Sequence, residues 1–269
     1  MELIAILLSS LLTLISSTGL LIDKAIANTL RSRLEEVEQL EVRVDNTPSY
    51  QILQGKINRI RIASRGVQPT PNLRIEVLEI ETDPINIDLQ NLRQKGISSF
   101  QESLREPVTA GVRLVLTEAD INQALAAKAI QSRIEELLKK LSGSGSRSYE
   151  VVNPQIDLLG DDRLKIMVQL RRSQDAEPLN INLELGVKVV EGRTLDLINP
   201  VGTANGRALS SRLLNGFAER LSSRLDLRRL EKSGTMAKIL QLDQDQDEIE
   251  LAAIFSVANR TQPTVTQDK

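Results

Sequence analysis

From Leu179 to Val189 the chain alternates without a break. Leu179, Ile181, Leu183, Leu185, Val187 and Val189 are aliphatic, and Asn180, Asn182, Glu184, Gly186 and Lys188 stand between them. Successive side chains of a β-strand point to opposite faces, so this segment is a strand with one dry and one wet face. Antiparallel sheets accept such strands. The same period governs Leu164, Ile166, Val168 and Leu170, interleaved with Lys165, Met167, Gln169 and Arg171. It returns in Ile85, Ile87 and Leu89, in Val108, Ala110, Val112, Leu114 and Leu116, and in Ile249, Leu251, Ala253, Phe255 and Val257. About ten half-wet strands are predicted in all. Ile57 and Ile60 have opposite parity, as do Val77 and Leu78. Such phase changes predict bulges that bend and twist a sheet.

Helical spacing interrupts the strands. From about Asp23 to Leu40, the residues Ile22, Ile26, Leu30, Leu34 and Val37 form an apolar stripe, with Arg31, Glu35 and Glu38 on other faces. A second helix is predicted from Thr117, a suitable N-cap with Asp120 three residues on. Its stripe is Ile121, Leu125, Ile130, Ile134, Leu137, Leu138 and Leu141. It ends at Ser142-Gly143-Ser144-Gly145-Ser146, which reads as a connector. A third helix after Gly206 carries Leu209, Leu213, Phe217, Leu221 and Leu225. Strands and helices of this kind need a shared apolar interior. The fold class that supplies it is α+β, a strongly curved antiparallel sheet wrapped around long amphipathic helices. Residues 23–257 read as a single domain with the connector at 142–146, and 258–269 as a polar tail.

Residues 1–22 are different. Leu3 to Ile22 carries no charge and is rich in Leu and Ile. Twenty helical residues span about 30 Å, the thickness of a hydrocarbon core. The segment is therefore expected to be a hydrophobic helix of the anchor or signal type that holds the protein at a membrane. Glu2 stands where a signal peptide places positive charge, and Ala25-Ile26-Ala27 fits both a cleavage site and the start of the next helix.

Composition removes most chemistry. The chain has no His and no Cys, so imidazole bases, thiolate nucleophiles and the metal sites built from them are excluded. No Gly-rich phosphate loop and no nucleophile elbow is present. A hydrolase built from Ser, Lys and Asp lacks a Ser-x-x-Lys phrase at a helix start. With a net charge of −2, no Trp, two Tyr and three Phe, neither a basic footprint nor a stacking platform for nucleic acid is expected. No cofactor is expected. Asp243, Asp245 and Asp247 have a calcium-like spacing without the loop glycine, so a polar hairpin turn is the better reading.

Charge is segregated along one stretch. Between Gln54 and Arg74 stand Lys56, Arg59, Arg61, Arg65 and Arg74 with no acid, and between Glu76 and Asp88 stand Glu76, Glu79, Glu81, Asp83 and Asp88 with no base. On neighbouring strands these would pair across the sheet. The other reading is a basic edge, with Lys56, Arg59, Arg61 and Arg65 touching lipid headgroups at a membrane surface.

The phrases LEVRVDNTPSYQILQGKINRIRI, LRIEVLEIETDPINIDL and VRLVLTEADINQAL, in that order, together with LQLDQDQDEIELAAIFSV, resemble the LmeA-like phospholipid-binding family, in its cyanobacterial branch. The resemblance spans nearly all of the chain after the N-terminal segment. It implies a non-catalytic, membrane-associated protein of the cell envelope that binds phospholipid in an elongated aliphatic cavity, through no catalytic residue. The partners it implies are phospholipid and, through the N-terminal helix, a membrane. The apolar stripes then supply a lining: Ile121, Leu125, Ile134, Leu137, Leu138 and Leu141 from the second helix, Leu183, Leu185 and Val187 from the longest alternating strand, and Leu213, Phe217 and Leu221 from the third helix. Apolar periodicity reports burial and not emptiness, so the same residues also describe a filled core, as in a scaffold subunit of a membrane assembly.

Overall fold

The computed structural model describes residues 22–95, 99–142, 149–171 and 177–259. In chain order the elements are α1 (Ile22–Arg31), β1 (Glu36–Asp45), a 3-10 turn (Ser49–Gln54), β2 (Lys56–Ile57), β3 (Arg59–Thr70), β4 (Leu73–Thr82) and β5 (Ile85–Asn86). Then come α2 (Leu89–Lys95), α3 (Phe100–Ser103), β6 (Val108–Thr117), α4 (Glu118–Ala126), α5 (Lys128–Ser142), β7 (Glu150–Gly160) and β8 (Arg163–Arg171). The chain continues through β9 (Leu179–Val190), β10 (Thr194–Ala204), β11 (Arg207–Ala208), α6 (Ser211–Ser222), a second 3-10 turn (Leu227–Ser233), β12 (Thr235–Gln244) and β13 (Glu248–Val257).

The architecture is α+β and antiparallel, but there are two large sheets where one curved sheet was expected. The first has the order β1-β3-β4-β6-β13-β12, the second β11-β10-β9-β8-β7, and β2 pairs with β5 apart from both. Alternation defines the faces of a strand and leaves its partners open, which is why the division was not visible beforehand.

Register in the first sheet aligns apolar residues across all six strands. Val42, Ile62, Ile80, Val112, Ala253 and Ile239 form one row, and Leu40, Ser64, Leu78, Leu114, Leu251 and Leu242 the next on that face. The intervening row is Glu41, Ala63, Glu79, Arg113, Ala252 and Gln241. In the second sheet Leu158, Leu164 and Leu185 align, as do Ile156, Ile166 and Leu183.

Several predicted elements change. The helix read from Asp23 to Leu40 stops at Arg31, and Glu36–Asp45 is a strand. Leu40, Val42 and Val44 alternate with Glu41 and Arg43, and pairing with β3 outweighs the helical spacing of Leu34 and Val37. The helix from Thr117 is two helices, broken at Ala127, whose ψ of 131° is extended. Its N-cap is as predicted, with Thr117 Oγ1 accepting the Asp120 N–H at 3.1 Å. Ile85–Leu89 contributes only the short β5 before α2 begins. No register shift accompanies Val77 and Leu78; both are buried because both faces of β4 are covered there, with α4 packed against the strand. Asp243 lies near the end of β12, paired with Glu250, and Asp245–Asp247 form the β12–β13 turn, where Asp245 Oδ1 accepts the N–H groups of Asp247 and Glu248, both at 2.8 Å.

Helices seal two sheet edges through side chains. On β1, Asp23 Oδ1 accepts the Val44 N–H (3.0 Å) and Arg31 donates to the Leu40 carbonyl (3.3 Å). On β7, Glu118, Asn122 and Glu135 accept the N–H groups of Leu158, Ile156 and Val151, and Asn122 returns a bond to the Ile156 carbonyl. An unpaired strand edge otherwise offers a template for foreign strands.

Candidate functional site

Among the described residues, the apolar face of the first sheet is not fully covered. Beneath α1, the small helices and the first 3-10 turn, Ile26, Leu30, Leu40, Ile60 and Ile62 close into a tight core with Ile85, Ile87, Leu92 and Leu104. Away from that corner, Ile80, Val112, Leu114, Leu116, Ile249 and Leu251 are only half-buried. An open groove of about 1000 Å³ runs over Ile80 and Val112. One wall is α1, through Asp23, Lys24, Ala27, Asn28 and Arg31. Leu40, Val42, Ile62, Ile80, Val112 and Ala253 line it across the strands, with Leu240 at the far side. Asp23 and Arg31 thus do two jobs: they hold α1 on the β1 edge and shape the wall. Ala63, Gly111, Ala252 and Ala253 also line the groove. Leu240 sits at a register shift on β12, is 58% exposed, and also lines a second groove of about 580 Å³ beside Gly186 and Val187.

Charges around the groove neutralise one another. Arg61 bonds to Asp45, Arg59 lies 3.0 Å from Glu81, and Arg113 lies 2.6 Å from Glu250 and 3.6 Å from Glu79. The Arg61 guanidinium holds the Asp45 carboxyl below its ordinary range, and Arg113 does the same for Glu250. In return, the Arg113 guanidinium is pushed up by its bond to Glu250. The segregated charges of the sequence therefore meet across β3 and β4, with Arg61 opposite Glu81 in register. Lys56 and Arg65 are exposed and have no ion pair among the described residues. Deeper in the sheet, Arg74 gathers Glu38 (2.7 Å), Glu76 (2.6 Å) and the buried Asp120 (3.1 Å), tying β1, β4 and α4 together. The set is saturated and leaves no cation free for a ligand.

The residues singled out in the sequence lie largely elsewhere. Leu183 and Leu185 are covered by Leu214 and Phe217 of α6, with Val187 packed alongside, so α6 occupies the place expected of the helix after Thr117. The helices α4 and α5 pack on β7 instead, with Ile121, Leu125, Ile134, Leu137 and Leu138 half-buried. Leu213 is 58% exposed and Leu221 half-buried. The Leu141 side chain lies outside the described residues. Of the expected basic contacts, Arg61 lines the groove. Sequence reading missed Asp23, Arg31, Leu40 and Val42. The available signal was the alternation of Leu40, Val42 and Val44, which marks β1 as a strand and places the preceding helix at its edge.

No helix of the described residues is long and apolar enough to cross a membrane. The uncharged run from Leu3 lies outside the described residues, apart from the first residue of α1. Comparison with known proteins gives one match: the model of a family described as LmeA-like phospholipid-binding aligns with residues 17–254. No curated protein and no solved structure matches the chain.

Proposed function

Because the chain belongs to the LmeA-like phospholipid-binding family, we propose that it seats the acyl chains of a phospholipid in the groove between α1 and the first sheet, without chemistry on the lipid. The observation that carries this reading is that Ile80 and Val112, neighbours at the centre of the first sheet, are only half-buried and line a groove of about 1000 Å³. An aliphatic face at the centre of a sheet is ordinarily the most buried part of a protein. Left open, it gains about 0.8 kcal/mol for each methylene laid on it. Pockets for such ligands are mostly apolar with a few polar groups at the mouth. Here Asn28, Arg31, Arg61 and Arg113 are among the polar residues that line the groove. The uncharged N-terminal run keeps the groove beside a membrane of the cell envelope, where lipid is exchanged or sensed.

Native mass spectrometry and organic extraction of the purified full chain test this. A stoichiometric copurifying phospholipid, lost when the groove is filled by substitution, is the expected result. A lipid-free protein that also takes up none from vesicles overturns the reading and leaves a scaffold with an underfilled surface.

A further inference from the structure

We propose that the 3-10 turn Ser49–Gln54 is the part of the folded domain that enters the bilayer surface, with Tyr50 and Leu53 as its inserting side chains; this rests on the phospholipid-binding reading above. Tyr50 is 61% exposed and Leu53 69%, while Ile52 between them is 7% exposed and buried in the core under α1. A short turn thus holds one apolar residue inward and two outward. Its base is fixed. Gly55 has a φ of +81°, and a Cβ there would collide with the Ile87 carbonyl oxygen, whose own N–H donates to Gly55 O at 2.9 Å. Asn46 Oδ1 accepts the Asn58 N–H at 2.8 Å, and Asn58 Nδ2 donates to the Thr47 carbonyl. A pre-ordered turn loses little freedom on insertion.

The position of the turn selects a bilayer as its partner. The uncharged run from Leu3 to Ile22 leads directly into α1. The first turn of α1 is tied to the same corner: Asp23 accepts the Val44 N–H near the end of β1, the four residues Asp45–Pro48 lead from there to the 3-10 turn at Ser49, and Ile26 shares a core with Ile52. A membrane that receives the N-terminal run therefore lies against Tyr50 and Leu53. Tyrosine suits that depth, with an apolar ring and a polar tip for the headgroup level. Lys56, exposed just beyond the turn, can lay its stem on the apolar surface and keep its ammonium at the phosphates. The neighbouring arginines 59 and 61 are already paired with Glu81 and Asp45. Apolar insertion, more than charge, then supplies the contact, and salt weakens it little.

The chain contains no Trp, so a single Trp reports its own surroundings. The full chain carrying Tyr50→Trp, and separately Leu53→Trp, is mixed with phosphatidylcholine vesicles, with and without phosphatidylglycerol, bearing brominated acyl chains. Leu213→Trp, 58% exposed on α6, is the comparison. Expected are a blue shift and loss of emission to bromine at positions 50 and 53, alike in both lipid mixtures, with no change at 213. All three sites are exposed in the parent, and unchanged thermal melts establish that the variants fold. If the protein floats with vesicles while positions 50 and 53 stay in water, or respond no more than 213, the turn does not insert, and the phospholipid-binding reading survives. If the protein neither floats nor carries lipid, both proposals fall.

Discussion

Replacing Val112 by Phe separates a seat for acyl chains from an underfilled core. Val112 is half-buried in the middle of the row Val42, Ile62, Ile80, Val112 and Ala253, on the floor of the groove of about 1000 Å³. A phenyl ring entering that space displaces roughly three acyl methylenes, and at about 0.8 kcal/mol each this removes about 2.4 kcal/mol of binding. At about 1.4 kcal/mol per decade the affinity falls roughly fiftyfold. Folding stability changes by less than about 1 kcal/mol, because the ring enters open space instead of a close-packed interior. Leu185→Phe supplies the contrast. Leu185 is 1% exposed in a cluster with Leu183 and Leu214, so the larger ring overpacks it and costs about 1–3 kcal/mol while lipid stays bound. Urea titration reads the stability and native mass spectrometry the occupancy. The reasoning is refuted if Val112→Phe leaves lipid affinity at the parent level. It is refuted equally if the substitution destabilises the fold as Leu185→Phe does and the parent carries no lipid.

Arg74→Met should cost about 2–3 kcal/mol in a urea titration, somewhat less than a wholly buried pair because Arg74 is 22% exposed, since it strands the carboxylate of Asp120. Adding Asp120→Asn should recover part of that loss, and a double variant worse than the single would contradict the pairing. Asn122→Ala removes both bonds to Ile156 on the β7 edge and should cost about 1–3 kcal/mol by the same titration, whereas a neutral result would mean that water serves the edge as well. The Asp45 and Glu250 carboxyls lie below their ordinary values in the folded state, through the Arg61 and Arg113 guanidinium groups respectively. Their contribution is present above the unfolded values and lost as pH falls through the folded ones, so melting temperature should hold from about pH 7 to 5 and drop below about pH 4. With no His in the sequence, a fall between pH 7 and 5 would point to groups outside this account.

Much of this was legible in the residues. The alternation of Leu164–Leu170 and of Leu179–Val189 gave adjacent strands of the second sheet, and the separated charges of 54–88 meet as the Arg59–Glu81 pair and the Arg61–Glu81 register. Thr117 starts its helix as its hydroxyl suggests. The misread parts have physical causes. Leu34 and Val37 continue the spacing of Ile26 and Leu30 by accident, and only the β3 partner reveals that Glu36–Asp45 is a strand. A helical stripe shows that a helix buries one face without saying against what. Leu183 and Leu185 could therefore be assigned to the helix after Thr117 until α6 was found upon them. The groove was invisible for the same reason: a half-buried Val112 and a buried Ile62 look alike as letters, and the difference depends on where α1 ends.

The strand order of the first sheet has a consequence for how the chain is made. On the ribosome β6 emerges with β4 on one side, while its other partner, β13, is the last strand to be synthesised, with the whole second sheet, three α-helices, a 3-10 turn and β12 between them. Until Val257 can pair with Val108, and Leu251 with Leu114, β6 is an open edge carrying an aliphatic row. Pairings so distant in sequence form slowly, and the nascent chain spends that interval exposed to wrong partners. A stalled or C-terminally shortened chain therefore loses β12 and β13 and leaves Val112, on the floor of the groove, at the open edge of a four-stranded remnant. The second sheet, contiguous from β7 to β11, has no such dependence and can complete its own pairing while the end of the protein is still in the exit tunnel.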